Sequence, residues 1–270
     1  METNAVRHTP SPGERQLSHG RITFLEAGSG MPVLMLHGLN GNARSWMPQL
    51  TGLADRFRIV AWDAPGYGGS DLAGSGIVDF ARAGLELIGE LFSEPVALVG
   101  HSFGGTIAMQ MIALEPTRFS RVVFSCTHPG HGRSTDHSAA QRYNRRIEQF
   151  KTLPREEYGR RRARGMLPEG TPHDVFDTVA AVAAEARLEG TQAASQAMER
   201  CDLRPALPQI AIPALVITCG SDPVVKLERA MPLIESLPHC RHVRLPGLGH
   251  APYYEDPDLY NSTISDFLTS

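Results

Sequence analysis

A chain of 270 residues with 41% hydrophobic content has enough apolar material for a sizeable core, in one large domain or two small ones. Its formal net charge of -3 and pI near 6.4 give no electrostatic reason to expect nucleic acid or an anionic membrane as partner, which leaves small molecules. Cys126, Cys201, Cys219 and Cys240 form no C-x-x-C pair, so free thiols are expected rather than a zinc site or a disulfide framework.

In chain order, residues 1–19 read as a loose leader, since residues 1–14 are polar and lack the apolar centre of a signal peptide. No later apolar run reaches membrane-spanning length, and a cytoplasmic protein is expected. Residues 22–26 suit an antiparallel edge strand. Residues 33–36, 58–61, 96–99, 122–124, 215–218 and 242–245 are short runs rich in Val, Ile and Leu, the pattern of strands buried on both faces of a parallel sheet. Between them, residues 45–53, 78–92, 106–114, 227–237 and 259–268 carry apolar residues at helical spacing, as crossover helices would. The alternation stops over residues 127–206, where Arg, Ala and Glu dominate; a helical insertion is predicted there, within one core formed by residues 20–126 and 207–270. The expected fold class is α/β, a mostly parallel doubly wound sheet with an inserted helical cap.

The strand at 96–99 runs into Gly100-His101-Ser102-Phe103-Gly104-Gly105 and then a helix, which is G-x-S-x-G in strand-turn-helix context. Such a turn strains the backbone and exposes the serine hydroxyl, and its glycines leave room where a side chain would crowd a neighbouring element. Alone, the pentapeptide could be a plain glycine-rich turn. A serine hydroxyl needs a base, and the base needs an orienting group. Gly249-His250-Ala251 follows the last predicted strand and supplies His250 as base. Gly220-Ser221-Asp222-Pro223 follows the strand at 215–218 and supplies Asp222, in the order serine, acid, histidine. Asp136, the first carboxylate after the strand ending near residue 125, is the competing acid. The oxyanion of the tetrahedral intermediate needs fixed donors, for which the backbone N–H groups of Phe103 and of Leu39, in His37-Gly38-Leu39-Asn40-Gly41, are the candidates.

With the run Asp63-Ala64-Pro65-Gly66-Tyr67-Gly68-Gly69-Ser70 and with Glu255 and Pro257 after His250, these motifs resemble those of α/β-hydrolase fold enzymes from about residue 20 to 268. The resemblance implies a serine hydrolase without cofactor or metal, a cap over the triad, and supporting rather than reacting roles for His37 and Asp63. His101 is expected to pack at the elbow. His128, His131 and His137 lack metalloprotease spacing.

Within the family, Ser45-Trp46 through Asp63 and residues 187–207, with Asp202-Leu203-Arg204, look similar to 3-oxoadipate enol-lactonases and small-ester hydrolases. The alternative is a carbon-carbon bond hydrolase of the meta-cleavage-product type, although those carry an aromatic residue where Ala251 stands. A ligand receptor on a hydrolase scaffold is a third reading. The dehalogenase and epoxide hydrolase chemistries use an aspartate where Ser102 stands. Residues 141–166 are rich in arginine, from Arg142 to Arg164, most of it expected as solvated charge and some of it as a device for steering an anionic substrate.

Overall fold

The computed structural model describes residues 9–132 and 137–270, apart from the side chains of residues 137–142. Its strands are β1 (Ser11–Leu17), β2 (Gly20–Ala27), β3 (Met31–Leu36), β4 (Phe57–Trp62), β5 (Val96–His101), β6 (Phe119–Ser125), β7 (Ala214–Cys219) and β8 (Cys240–Leu245). They form one eight-stranded sheet in the order β1-β2-β4-β3-β5-β6-β7-β8. β1, β2 and β4 pair antiparallel, and every later pairing is parallel.

The period of two in the central strands divides the core. Leu34, Leu36, Val96, Leu98, Val122 and Phe124 face one layer, while Val33, Met35, Ala97, Val99 and Val123 face the other. The first layer is covered by α2 (Ile77–Leu91) and α3 (Phe103–Leu114), through Phe80, Leu87, Ile107 and Met111. The second is covered by α1 (Met47–Gly52) and the C-terminal helix α10 (Pro257–Leu268), through Leu50, Tyr260, Ile264 and Phe267. Strands apolar on both faces therefore require helices on both sides, and the sheet is doubly wound.

The reading of residues 1–19 as a loose leader is corrected for Ser11–Leu17, which form the edge strand β1 in register with β2 from Ser11 opposite Glu26 to Leu17 opposite Gly20. Only Leu17 is buried there, so a polar edge strand leaves no alternating apolar signal. Ser18 ties the hairpin to α2, its N–H and hydroxyl both donating to Glu86. Residues 1–8 lie outside the described residues.

Four helices, α4 (His137–Thr152), α5 (Arg155–Arg164), α6 (His173–Ala184) and α7 (Leu188–Arg200), are inserted between β6 and β7 and form a cap. Its apolar faces extend the layers beneath it: Ala193, Ala194, Ala197 and Met198 join the first, and Ala163, Met166, Val179 and Ala180 the second. At Gly190, α7 meets the loop after β4 so closely that a Cβ would lie 2.2 Å from the Gly66 carbonyl oxygen. After the cap come α8 (Leu227–Ser236) and the short helix α9 (Pro252–Glu255). Among the described residues no helix is long and apolar enough to cross a membrane.

Candidate active site

β5, β7 and β8 end on the same edge of the sheet, and the turn after each carries one member of a Ser-His-Asp triad. Ser102 sits between β5 and α3 at φ 50° and ψ -116°, a conformation that L side chains rarely adopt. The turn is pinned by the Ser102 N–H donating to Ser125 O at 2.9 Å and by the Thr127 hydroxyl donating to Ser102 O at 2.5 Å. Gly104 is there for space, because a Cβ on it would come within 2.0 Å of Leu36 O.

His250 Nε2 lies 3.1 Å from Ser102 Oγ, and its Nδ1 lies 2.8 Å from Asp222 Oδ2. The other carboxylate oxygen, Oδ1, accepts the N–H groups of Val224 at 2.7 Å and Val225 at 2.9 Å. Burial works against ionisation of Asp222, but hydrogen bonding and attraction from His250, with those two N–H groups, outweigh it and hold the carboxyl below its usual range. An ionised Asp222 accepts only, so Nδ1 of His250 is the donor and Nε2 is left to accept from the serine hydroxyl. The His250 loop is braced by Glu255, which accepts from Gly249 N and Ala251 N, and by the cap, since His250 N donates to Met166 O at 2.8 Å.

His37 and Asp63 take supporting positions. Ala64 N donates to His37 Nε2 at 3.0 Å, so Nδ1 carries the proton and donates to Gly38 O at 2.8 Å. Burial lowers the His37 pKa, against the Gly38 carbonyl and the charge of Asp63. Asp63 accepts from Ala43 N and the Thr23 hydroxyl. The His101 ring packs 4.8 Å from that of His250 and 4.9 Å from Tyr253. Burial, then the neighbouring His250 and His37, push its pKa well down, so it stays neutral beside a histidine that must accept charge.

The triad opens on a cavity of about 200 Å³ between core and cap. Its floor includes Gly38, Leu39 and Ser102, and its roof includes Met166, Val179 and Val182. Asp136 and the His137 side chain lie outside the described residues. His128 and His131 face the cavity with ring centroids 4.7 Å apart; His128 Nδ1 accepts from Gly130 N, and His131 Nδ1 lies 2.9 Å from Arg229 Nη2. Among the described residues the one group of three with metal-ligating atoms close together is Cys126, Asp222 and His250. Two of these are committed to each other in the triad. The third, Cys126, has its thiol pKa raised by its hydrogen bond to the free Cys219 thiol and by burial.

The sequence reading missed the cavity's cap-side polar groups. Asn40, at φ 65°, donates through Nδ2 to the Tyr158 hydroxyl at 2.6 Å and accepts through Oδ1 from the Thr191 hydroxyl at 2.9 Å. It joins the loop after β3 to α5 and α7. Arg146 and Arg162 also line the cavity. The helical faces of residues 141–166 were visible in the sequence, but which arginine turns inward depends on how α4 and α5 pack. The pair Asn40-Gly41, residue types that favour a left-handed turn, was the available clue to Asn40.

A profile described as "Alpha/beta hydrolase family" matches residues 33–263. Among curated proteins, the chain is 29% identical over 258 residues to "Putative carbamate hydrolase RutD" of Agrobacterium fabrum, covering 93% of this chain and 96% of that one. Among solved structures, an esterase from Exiguobacterium antarcticum superposes with a TM-score of 0.87 at 24% identity, covering 95% and 99% of the two chains. An enol-lactonase from Burkholderia xenovorans LB400 superposes with a TM-score of 0.86 at 22% identity, covering 96% and 100%. These two likenesses are of fold.

Proposed function

The chain belongs to the alpha/beta hydrolase family, and on that premise we propose that it cleaves a small ester or lactone through an acyl-enzyme on Ser102. The observation that carries this reading is the hydrogen-bonded sequence Asp222, His250, Ser102 opening on a cavity of about 200 Å³. Ser102 Oγ adds to the carbonyl carbon as its proton passes to His250 Nε2, and the ionised Asp222 stabilises the imidazolium. The Leu39 and Phe103 N–H groups receive the oxyanion; Leu39 lines the cavity, and Phe103 is the first residue of α3, whose N-terminus favours negative charge. Collapse breaks the bond to the leaving oxygen, which takes the proton from His250, and water then repeats the addition to release the acid. With a lactone the leaving oxygen stays tethered and a hydroxy acid departs. The full-length likeness to a protein named for carbamate hydrolysis adds carbamates to the substrates worth trying, since the same carbonyl addition serves them. We place the protein in the cytoplasm, where its four free cysteines stay reduced.

A fluorophosphonate labels Ser102 and not the Ser102→Ala protein, and the wild type turns over a small ester many times per site. Labelling at another residue overturns the assignment of the nucleophile. A single reaction without sustained product release makes the protein a receptor. Loss of Ser102 costs up to ~10⁶-fold in turnover, by analogy with subtilisin.

A further inference from the structure

The triad explains how a carbonyl is attacked and leaves open what holds the rest of the substrate. Several of the cap's basic side chains are occupied elsewhere: Arg160 pairs with Asp177, Arg164 with Glu157, and Arg155 lies over the Phe150 ring while donating to Ala186 O. Arg146, from α4, and Arg162, from α5, instead line the cavity that contains Ser102. The Nη1 of Arg146 donates to the neutral Ser195 hydroxyl at 2.9 Å. The Nε of Arg162 is buried with no acceptor among the described residues. Burial, and next the positive charge of Arg162, pull the pKa of Arg146 down to about 10, against the pull of Tyr158, Tyr67 and Glu199. Two guanidinium groups thus repel one another across a partly desolvated space. Among the described lining residues, Glu199 is the single carboxylate beside Arg146, Arg162 and Arg229, and it lies 3.9 Å from His131 Nε2.

We propose that Arg146 and Arg162 form a carboxylate-binding subsite, so that the substrate is a small ester or lactone bearing a free carboxylate held under the cap while its carbonyl lies at Ser102. This rests on the acyl-transfer reading above. An anion between the two groups would relieve their repulsion and give the orphaned Nε an acceptor, and guanidinium forks match carboxylates in shape as well as charge. Ser102 and the two guanidinium groups line one cavity of about 200 Å³, so a small molecule is the ligand to try.

The test reads binding without turnover. The full-length Ser102→Ala protein is titrated calorimetrically with monomethyl glutarate and with dimethyl glutarate. The monoanion should bind about 10- to 100-fold more tightly, the range expected for a hydrogen bond to a charged group. Adding Arg162→Gln should cut that ratio at least severalfold and Arg146→Gln with Arg162→Gln should bring it close to one, whereas Arg164→Gln, at the exposed pair with Glu157, should leave it as it was. A measurement that needs no cap variant accompanies these: raising salt from about 0.05 to about 0.5 M should weaken the monoanion and leave the diester unchanged. Equal binding of the two esters, no measurable binding of the monoanion, or a preference left unchanged by Arg162→Gln overturns the subsite. Failure of the wild type to be labelled at Ser102 would instead overturn the acyl-transfer reading, and the binding ratio does not depend on it.

Discussion

The two halves of the active site are built by different means. On the core side, Ser102, Asp222 and His250 stand on three short turns at the ends of β5, β7 and β8, and the sheet register fixes their separation. Backbone demands govern each turn, from the positive φ of Ser102 to the bare Gly104 and the paired N–H groups on Asp222. On the cap side, Arg146, Arg162, Met166 and Val179 project from amphipathic helices or the turn after them, with no special backbone geometry. The reaction is thus held by features that tolerate few residue types, and the substrate by side chains that many helices could carry. The fold can keep one chemistry while its cap changes what is recognised.

After loss of Ser102 itself, the largest expected effect breaks the core side. In Asp222→Asn an amide replaces the second carboxylate oxygen and donates toward His250 Nδ1, so the imidazole must take the opposite tautomer and Nε2 no longer accepts from Ser102. Turnover of a small ester should fall by about 10⁴-fold, as for the corresponding change in the protease triad, with the melting temperature nearly unchanged. Glu255→Gln keeps one of the two acceptors that brace Gly249 and Ala251, and should lose about tenfold, roughly the value of one buried hydrogen bond. If Asp222→Asn retained more turnover than Glu255→Gln, the orienting acid would lie elsewhere.

The same asymmetry explains what could be read from the sequence. The parallel strands, the elbow and the chain order of the triad were legible because both-face burial, glycine spacing and strand-end position each leave a local signature. Strand β1 was not, because its edge position buries only Leu17. The arginine-rich composition of the cap was plain, yet it could not separate Arg164, paired at the surface, from Arg162, two residues earlier and turned into the cavity. Two positions on one helix lie about 200° apart, so the difference is set by the direction α5 presents to the core. Asn40 escaped notice because its partners, Tyr158 and Thr191, are more than a hundred residues away in the chain.

Asn40 is also where the two halves can be uncoupled. Asn40→Gly removes both side-chain hydrogen bonds to the cap while tolerating the φ of 65°. It should lower stability in urea by about 2 kcal/mol, one or so per lost bond, and lower kcat/KM by about tenfold as the cap loosens. Asn40→Ala adds a cost of about 1–2 kcal/mol for a Cβ in the left-handed region, and should be the less stable of the two. Unchanged kcat/KM in the glycine variant would mean that the cap is positioned without this bridge, through Gly190 and the bond from His250 N to Met166 O.

The smallest effect distinguishes the halves by their response to pH. Among the described residues, His37, His101 and His128 are buried on the core side with lowered pKa values. His101 is kept well below its ordinary value by burial and by His250 and His37, His128 is pulled down to about 3 by burial and Arg229, and His37 is lowered by burial. Because the folded values lie below the unfolded value near 6.5, the unfolded chain binds more protons as pH falls, so these groups give full stability above about pH 6.5 and lose it below. Glu255 works the other way: burial raises its pKa, so its contribution grows as pH falls. A single variant isolates one histidine from that sum. His128→Asn keeps an acceptor for Gly130 N but cannot titrate. Between pH 7.5 and 5.5 its urea-unfolding free energy should therefore fall by about 1 kcal/mol less than that of the wild type, the cost of one proton taken up only when unfolded. Identical pH dependence in the two proteins would mean that His128 takes up its proton as readily in the folded as in the unfolded state, placing a positive charge beside Arg229 and the triad at low pH. Binding of the monoanion to the Ser102→Ala protein should change little over the same range, since Arg146, with a pKa of about 10, keeps its charge and the buried His101 and His128 stay neutral.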